Sequence, residues 1–297
     1  MNFPSFLMPT TSGLRRIIGL LALAAMLAGC SAIKLGYNNL DDIAYWWLDS
    51  YVDFSDEQTS RVREDLAGLH AWHRKEELPP VIAMLQEIER LAPGDVTPAQ
   101  ACAYVQQARE RVNALTERAE PAAITLSIGL TADQLKHLER KYEKNDAEYR
   151  KQWVRIPRQE QKEKRYDQFL ERGEMIYGKL DEPQKAVLRK LVEQSMFEPE
   201  KMLAERIRRQ QDALQTLRKM AAQPIAFGDA RTLLRGYLER VQQPPEPAAR
   251  RYQDGLIEEG CRNISVLHNS TSTAQREAAV RRLRAYQRDL RDLVRDK

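Results

Sequence analysis

His70 and His73 stand three residues apart, with Glu76 and Glu77 close behind. On a helix that spacing brings two imidazoles onto neighbouring turns of one face. Two histidines and one carboxylate are the smallest protein ligand set of a catalytic zinc site. The His-Glu-x-x-His order of zinc peptidases is missing, however, and His137 and His268 have no companion at ligand spacing. His70 and His73 are therefore weak metal candidates, set against a reading as polar positions flanking Trp72, and no cofactor is expected. Glu76-Glu77 and Glu258-Glu259 are adjacent acids that point to different sides of a helix, so neither makes a glycosidase-like pair. The chain carries no nucleophile elbow, glycine-rich phosphate loop or Cys-x-x-Cys pair. No catalytic residue is assigned.

Cysteine chemistry is more informative. Arg15 and Arg16 are the sole charges before residue 30, and an apolar run from Ile17 to Met26 follows them. A basic start, a short apolar stretch and small residues before a cut describe an export signal, over residues 1–29. The apolar run is well short of the ~20 residues that span a bilayer. Translation from Met1 or Met8 would leave that signal the same, and Arg15-Arg16 lack the flanks of a twin-arginine signal. Leu27-Ala28-Gly29-Cys30 resembles the lipobox of bacterial lipoproteins. The resemblance implies that the Cys30 thiol is lipidated, that the chain is cut before it, and that the new amino end is acylated. Several acyl chains hold a domain stably where one does not. Ser31 follows the cysteine where an aspartate would retain such a protein in the inner membrane, so the resemblance implies an outer-membrane address facing the periplasm.

Cys102 and Cys261 remain. In an oxidising compartment the two are expected to be bridged, and the alternative is two separate buried thiols.

The chain after the signal has 268 residues with 45 basic and 43 acidic side chains. Residues 31–199 carry a net charge of −5 and residues 200–297 a net charge of +7. The basic third could meet anionic lipid or lipopolysaccharide, or be a solvated arginine-rich helix face. An exported chain is not expected to meet nucleic acid. Glycine is scarce, and leucine, alanine, glutamate, glutamine, arginine and lysine dominate. These are the strong helix formers, and no stretch alternates as a strand would.

Four short patterns mark where helices begin: Phe54-Ser55-Asp56-Glu57-Gln58, Val96-Thr97-Pro98-Ala99-Gln100, Leu130-Thr131-Ala132-Asp133-Gln134 and Leu180-Asp181-Glu182-Pro183-Gln184. Each is a capping box, in which a short side chain accepts an amide hydrogen while glutamine reaches back. Helices are expected to start near residues 56, 98, 132 and 182. Their irregular separations argue weakly for a repeat array. Prolines at 79–80, 93, 121, 157, 199, 224 and 244–247 are expected at helix ends or starts. Leu40, Ile43, Ala44, Trp47 and Tyr51 form a helical stripe amid Tyr37, Tyr45, Trp46 and Phe54. Such rings suit a membrane interface, but a stripe this wide favours the core of the first helical pair.

Tyr37-Asn38-Asn39-Leu40-Asp41, Trp46-Trp47 and Tyr51-Val52-Asp53-Phe54-Ser55-Asp56-Glu57-Gln58, read with Cys30, resemble a family of uncharacterised proteobacterial lipoproteins defined by a domain of unknown function. That resemblance implies localisation and a helical fold but no activity. Leu130-Thr131-Ala132-Asp133-Gln134 is also similar to the Leu-Thr-x-x-Gln motif of periplasmic stress chaperones of the Spy and CpxP type. The expectation is an all-α, elongated bundle of nine to eleven helices. It divides into a signal over 1–29, a lipidated anchor and linker over 30–37, and one helical periplasmic domain over 38–297. Its partners would be the membrane, through the lipid at Cys30, and an envelope protein bound without catalysis. A hydrolase using carboxylates from several helices, or binding of anionic lipid by the basic third, are the alternatives.

Overall fold

The computed structural model describes residues 33–222 and 224–295, so the export signal and Cys30 lie outside the described residues. Every regular element among them is helical, as composition implied. Residues 33–38 are already helix rather than linker. Eleven α-helices follow: α1 Leu40–Val52, α2 Asp56–Trp72, α3 Leu78–Leu91, α4 Pro98–Ile128, α5 Ala132–Tyr149, α6 Arg158–Tyr177, α7 Glu182–Glu193, α8 Pro199–Ala221, α9 Phe227–Gln242, α10 Pro247–Asn269 and α11 Thr273–Arg295. Single π-turns at His73–Glu77 and Arg150–Val154 continue α2 and α5.

All four capping boxes form, at the helix starts that the sequence implies. At Asp181, for example, the carboxylate accepts the Gln184 N–H at 2.9 Å and Gln184 Oε1 accepts the Asp181 N–H at 3.0 Å. Leu130 and Leu135, the pair flanking the third box, are both buried. A fifth box stands at Ser272 and Gln275.

The boxes then join in pairs. Gln134 Nε2 donates to Gln58 Oε1 at 2.6 Å, and Gln58 Nε2 donates to Gln134 Oε1 at 3.3 Å. Each amide also donates to the carbonyl two residues before the other box, Gln58 to Gly129 at 3.1 Å and Gln134 to Asp53 at 3.0 Å. Gln184 and Gln275 repeat this arrangement, with mutual bonds of 2.6 and 2.8 Å. Their second donations go to Ser270 and Lys179, again two residues before the opposite cap. Thus the α1–α2 corner meets the α4–α5 corner, and the α6–α7 corner meets the α10–α11 corner. In both, the first helix of one corner packs on the second helix of the other. The irregular box spacing hides a device used twice, not a linear array.

Two expectations are corrected. Pro121 does not end a helix but lies inside α4. Its ring removes one backbone bond, yet packing on both sides of it outweighs that loss. Ile124 is fully buried, and Glu120, also buried, accepts hydrogen bonds from Arg235 of α9 at 2.6 and 3.1 Å. The wide stripe on α1 is core only in part: Ala44 and Tyr51 are half-buried, and the Tyr51 hydroxyl accepts from Asn145 of α5 at 2.9 Å. Tyr45 is buried, and α1 presents that side to α2 and α5, whereas Leu40, Ile43, Trp46 and Trp47 are exposed.

Two clusters anchor the interior. Tyr166, Leu180, Leu188 and Val192 fill one, and Ile124, Met220 and Ala230 fill the other. In the structure Cys102 of α4 is bonded to Cys261 of α10, with Cα atoms 5.3 Å apart and a sequence separation of 159. A bridge closing so long a loop contributes about 5 kcal/mol by restricting the unfolded chain. Among the described residues no helix is long and apolar enough to cross a membrane.

The fifth box provides a test. Ser272→Ala removes an acceptor for the Gln275 N–H, and chemical denaturation should show a loss of about 1 kcal/mol. A variant as stable as the parent would mean that this cap carries nothing.

Candidate binding cleft

α8 and α10 start alike, each with proline in the first position, where the missing N–H costs nothing. Neither start has a side-chain cap bond. The Glu198 N–H instead donates to the Tyr252 hydroxyl of α10 at 2.8 Å, which sets the two starts side by side. Between them, with Arg109 of α4 on the margin, lies a cleft of about 680 Å³. Met202, Ala204, Ala248, Ala249, Leu256 and Ile257 supply its apolar surface. Lys201, Glu205, Arg208, Arg209, Glu246, Tyr252 and Gln253 supply its polar margin. A second hollow of about 220 Å³ shares Met202, Glu205 and Arg209 and extends to Tyr142 and Tyr237.

The margin is held by a chain of ion pairs. Arg208 binds both oxygens of Glu205, Nε and Nη2 each at 2.8 Å, and Arg209 Nε reaches Glu205 Oε1 at 2.7 Å. Arg209 Nη2 donates across the cleft to Gln253 Oε1 at 3.0 Å. Arg208 also donates to the Arg240 carbonyl at 3.0 Å, and Arg240 grips Asp212 through two bonds of 2.8 and 2.9 Å. Burial pushes the Glu205 carboxyl up, but the bonds from Arg208 and Arg209 outweigh it and hold the group below its usual range. The same Glu205 bonds raise Arg208 despite its partial burial. Burial raises the Tyr252 hydroxyl. Three arginines thus share two carboxylates, while Arg109 stands exposed at the edge of the cleft. The forks of Arg208 and Arg240 are taken by Glu205 and Asp212, so the cleft suits an apolar chain whose anionic groups meet the cationic margin by charge or at the exposed Arg109.

The residues singled out in the sequence lie elsewhere. His70 Nδ1 faces Asp41 Oδ1 at 3.4 Å, and its other nitrogen is buried with no partner among the described residues. His73 Nδ1 bonds instead to the Tyr37 hydroxyl at 2.8 Å. Among the described residues no group of three His, Cys, Asp or Glu could hold a metal ion. The adjacent acids do split between faces. Glu77 is buried toward Arg111 and Glu76 is exposed, while Glu259 is buried against Ser195 and the Met196 N–H and Glu258 is exposed. The cleft itself went unread. Glu205, Arg208 and Arg209 stand at i, i+3 and i+4, a spacing that announces helical ion pairs. Nothing local told that α10 would face them.

A family described as of unknown function, DUF6279, matches residues 50–236. The chain belongs to this family. The DUF6279 match contains the whole first glutamine pair and the α8 wall of the cleft, and it stops before α10 and α11. No curated protein and no solved structure matches the chain.

Two histidines, His268 buried and His73 half-buried, set a pH dependence. His268 donates from Nε2 to the Gly94 carbonyl at 2.8 Å and accepts at Nδ1 from the Tyr177 hydroxyl at 3.0 Å. Burial pushes it below its ordinary value of 6.5, against the pull of the Gly94 bond, and burial likewise lowers His73. Stability from a lowered histidine is complete above its unfolded value and is lost as pH falls through the folded one. Urea midpoints should therefore drop between about pH 7 and pH 5. His268→Gln should flatten part of that drop, and an identical profile in the variant would contradict the assignment.

Proposed function

We propose that this protein is a lipoprotein of the outer membrane, held by acyl groups on Cys30 with its helical domain in the periplasm. There it acts as a binding or scaffolding protein, chaperone-like in character, for an envelope polypeptide. The anchor rests on the run from Arg15 to Cys30 and on Ser31. The binding role rests on the cleft between α8 and α10, whose apolar surface and cationic margin fit an amphipathic, acidic segment of chain. Glu205 favours binding over the hydrolase alternative. A carboxylate hydrolase needs one acid raised toward neutral pH, and here two guanidiniums pull the cleft's most embedded carboxyl the other way.

The Leu-Thr-x-x-Gln similarity to periplasmic stress chaperones adds little to this reading. In Leu130–Gln134 the threonine caps α5 and the glutamine is taken up by Gln58 and Asp53. One observation favours a second reading, anionic lipid or lipopolysaccharide. All the residues around the cleft except Arg109 come from the basic third of the chain.

In-cell photocrosslinking from a reactive side chain placed at Ala248 tests both readings. Discrete protein adducts that fall several-fold in an Arg209→Glu variant are the expected outcome. Adducts with lipid alone would give the cleft to the second reading, and the absence of any adduct would refute both. Labelled palmitate should enter the parent and not Cys30→Ala, which should remain an unprocessed precursor. A Cys30→Ala chain that still matures and carries label would refute the anchor.

A further inference from the structure

Among the described residues, the outward face of α1 is apolar, aromatic and largely open to solvent. Trp46 is 62% exposed, Trp47 59%, Ile43 53% and Leu40 41%. Leu35, in the helical residues just before, is 67% exposed and continues the apolar surface toward the start of the chain. On a helix, positions 40, 43, 46, 47 and 50 share one side, and none of them is charged here. Each of the three acids of α1 has a partner, and the Asp42–Arg63 pair borders the apolar side, with the Arg63 guanidinium 5.4 Å from the Trp46 ring. Asp41 faces His70, Asp42 accepts from Arg63 at 2.6 Å, and Asp49 accepts the Phe54 N–H at 2.9 Å. The opposite side of the helix, led by Tyr45, is the one that packs on α2 and α5.

Soluble domains seldom leave tryptophans side by side in water, and a contiguous patch of this kind marks a contact surface. Its place in the chain says with what. Ile33, the first described residue, is three residues after Cys30. Three residues reach at most about 11 Å, so an acylated Cys30 would hold this helix at the bilayer surface. α1 is about 20 Å long at 1.5 Å per residue, and tryptophan favours the head-group level. An apolar aromatic strip tethered there at one end, its bordering charges Asp42 and Arg63 paired with each other, has the make-up of a helix that lies at a membrane interface.

We infer that α1 docks lengthwise on the lipid bilayer, with Trp46, Trp47 and Ile43 seated at the head-group level. This surface goes beyond the anchor reading, and only its closeness to the membrane rests on it. The contact fixes the domain's orientation as well as its address, which a lipid tether alone does not do.

The test uses the chain as matured in the cell, reconstituted into vesicles of phosphatidylethanolamine and phosphatidylglycerol whose acyl chains carry bromine near the head group. Trp46 and Trp47 should be quenched, and Trp46→Phe/Trp47→Phe should lose that quenching while emission from half-buried Trp72 and Trp153 persists. Equal quenching in parent and variant would overturn the inference. So would a dimer in detergent that the double variant dissolves, since a second copy would then cover the face. The mass of the first peptide separates this from the anchor. Acyl groups without quenching would leave the anchor standing and the docking refuted, and quenching without acyl groups would do the reverse.

Discussion

A primary amide with both its donors and its acceptor out of water must find partners for all of them or destabilise the fold. Gln134 and Gln184 are buried in that way, and each meets the requirement through a second glutamine from a distant corner of the chain. The solution is geometrically strict. One amide must satisfy its own helix start, its twin and a carbonyl of the opposite turn at the same time. Gln58 with Gln134 does this across 76 residues, and Gln184 with Gln275 across 91. Moving either corner by an ångström breaks several bonds together. The pairs therefore set which helix corners face each other, and the helices between them follow.

Both surfaces argued to matter depend on that arrangement. The first pair seats α1 with Tyr45 inward, which leaves Trp46 and Trp47 outward near the start of the chain. The second holds α10 and α11 against α6 and α7, and the Cys102–Cys261 bridge ties α10 to α4. α10 is thereby presented to α8, with Tyr252 receiving the Glu198 N–H and Gln253 receiving Arg209. α1 and the cleft thus come from opposite parts of the sequence, positioned by one repeated device.

Helix starts were legible because a capping box is local: four residues contain the whole signal, and Ser55, Thr97, Thr131 and Asp181 all cap as their spacing implies. Ser272-Thr273-Ala274-Gln275 carries the same signal more faintly, because no large apolar residue precedes it. The pairing of boxes was not legible, since nothing within a box names its twin. Pro121 misled because the backbone rule was read without Ile124 and Glu120, whose packing keeps α4 continuous. The stripe on α1 misled for a related reason. Periodicity reports that one side of a helix is apolar, and it is silent on whether protein or lipid covers that side. The cleft was half legible, its ion pairs written along α8 and its far wall supplied by a segment more than forty residues later.

The most direct measurement is a double-mutant cycle on Gln184 and Gln275, read as unfolding free energies of the parent, the two single alanine variants and the pair. If the glutamines act as one clasp, each single change strands the other's amide, and the double loss falls short of the sum by at least about 1 kcal/mol. If the two losses simply add, to within about 0.5 kcal/mol, the glutamines are independent helix caps and the clasp does not hold the fold together.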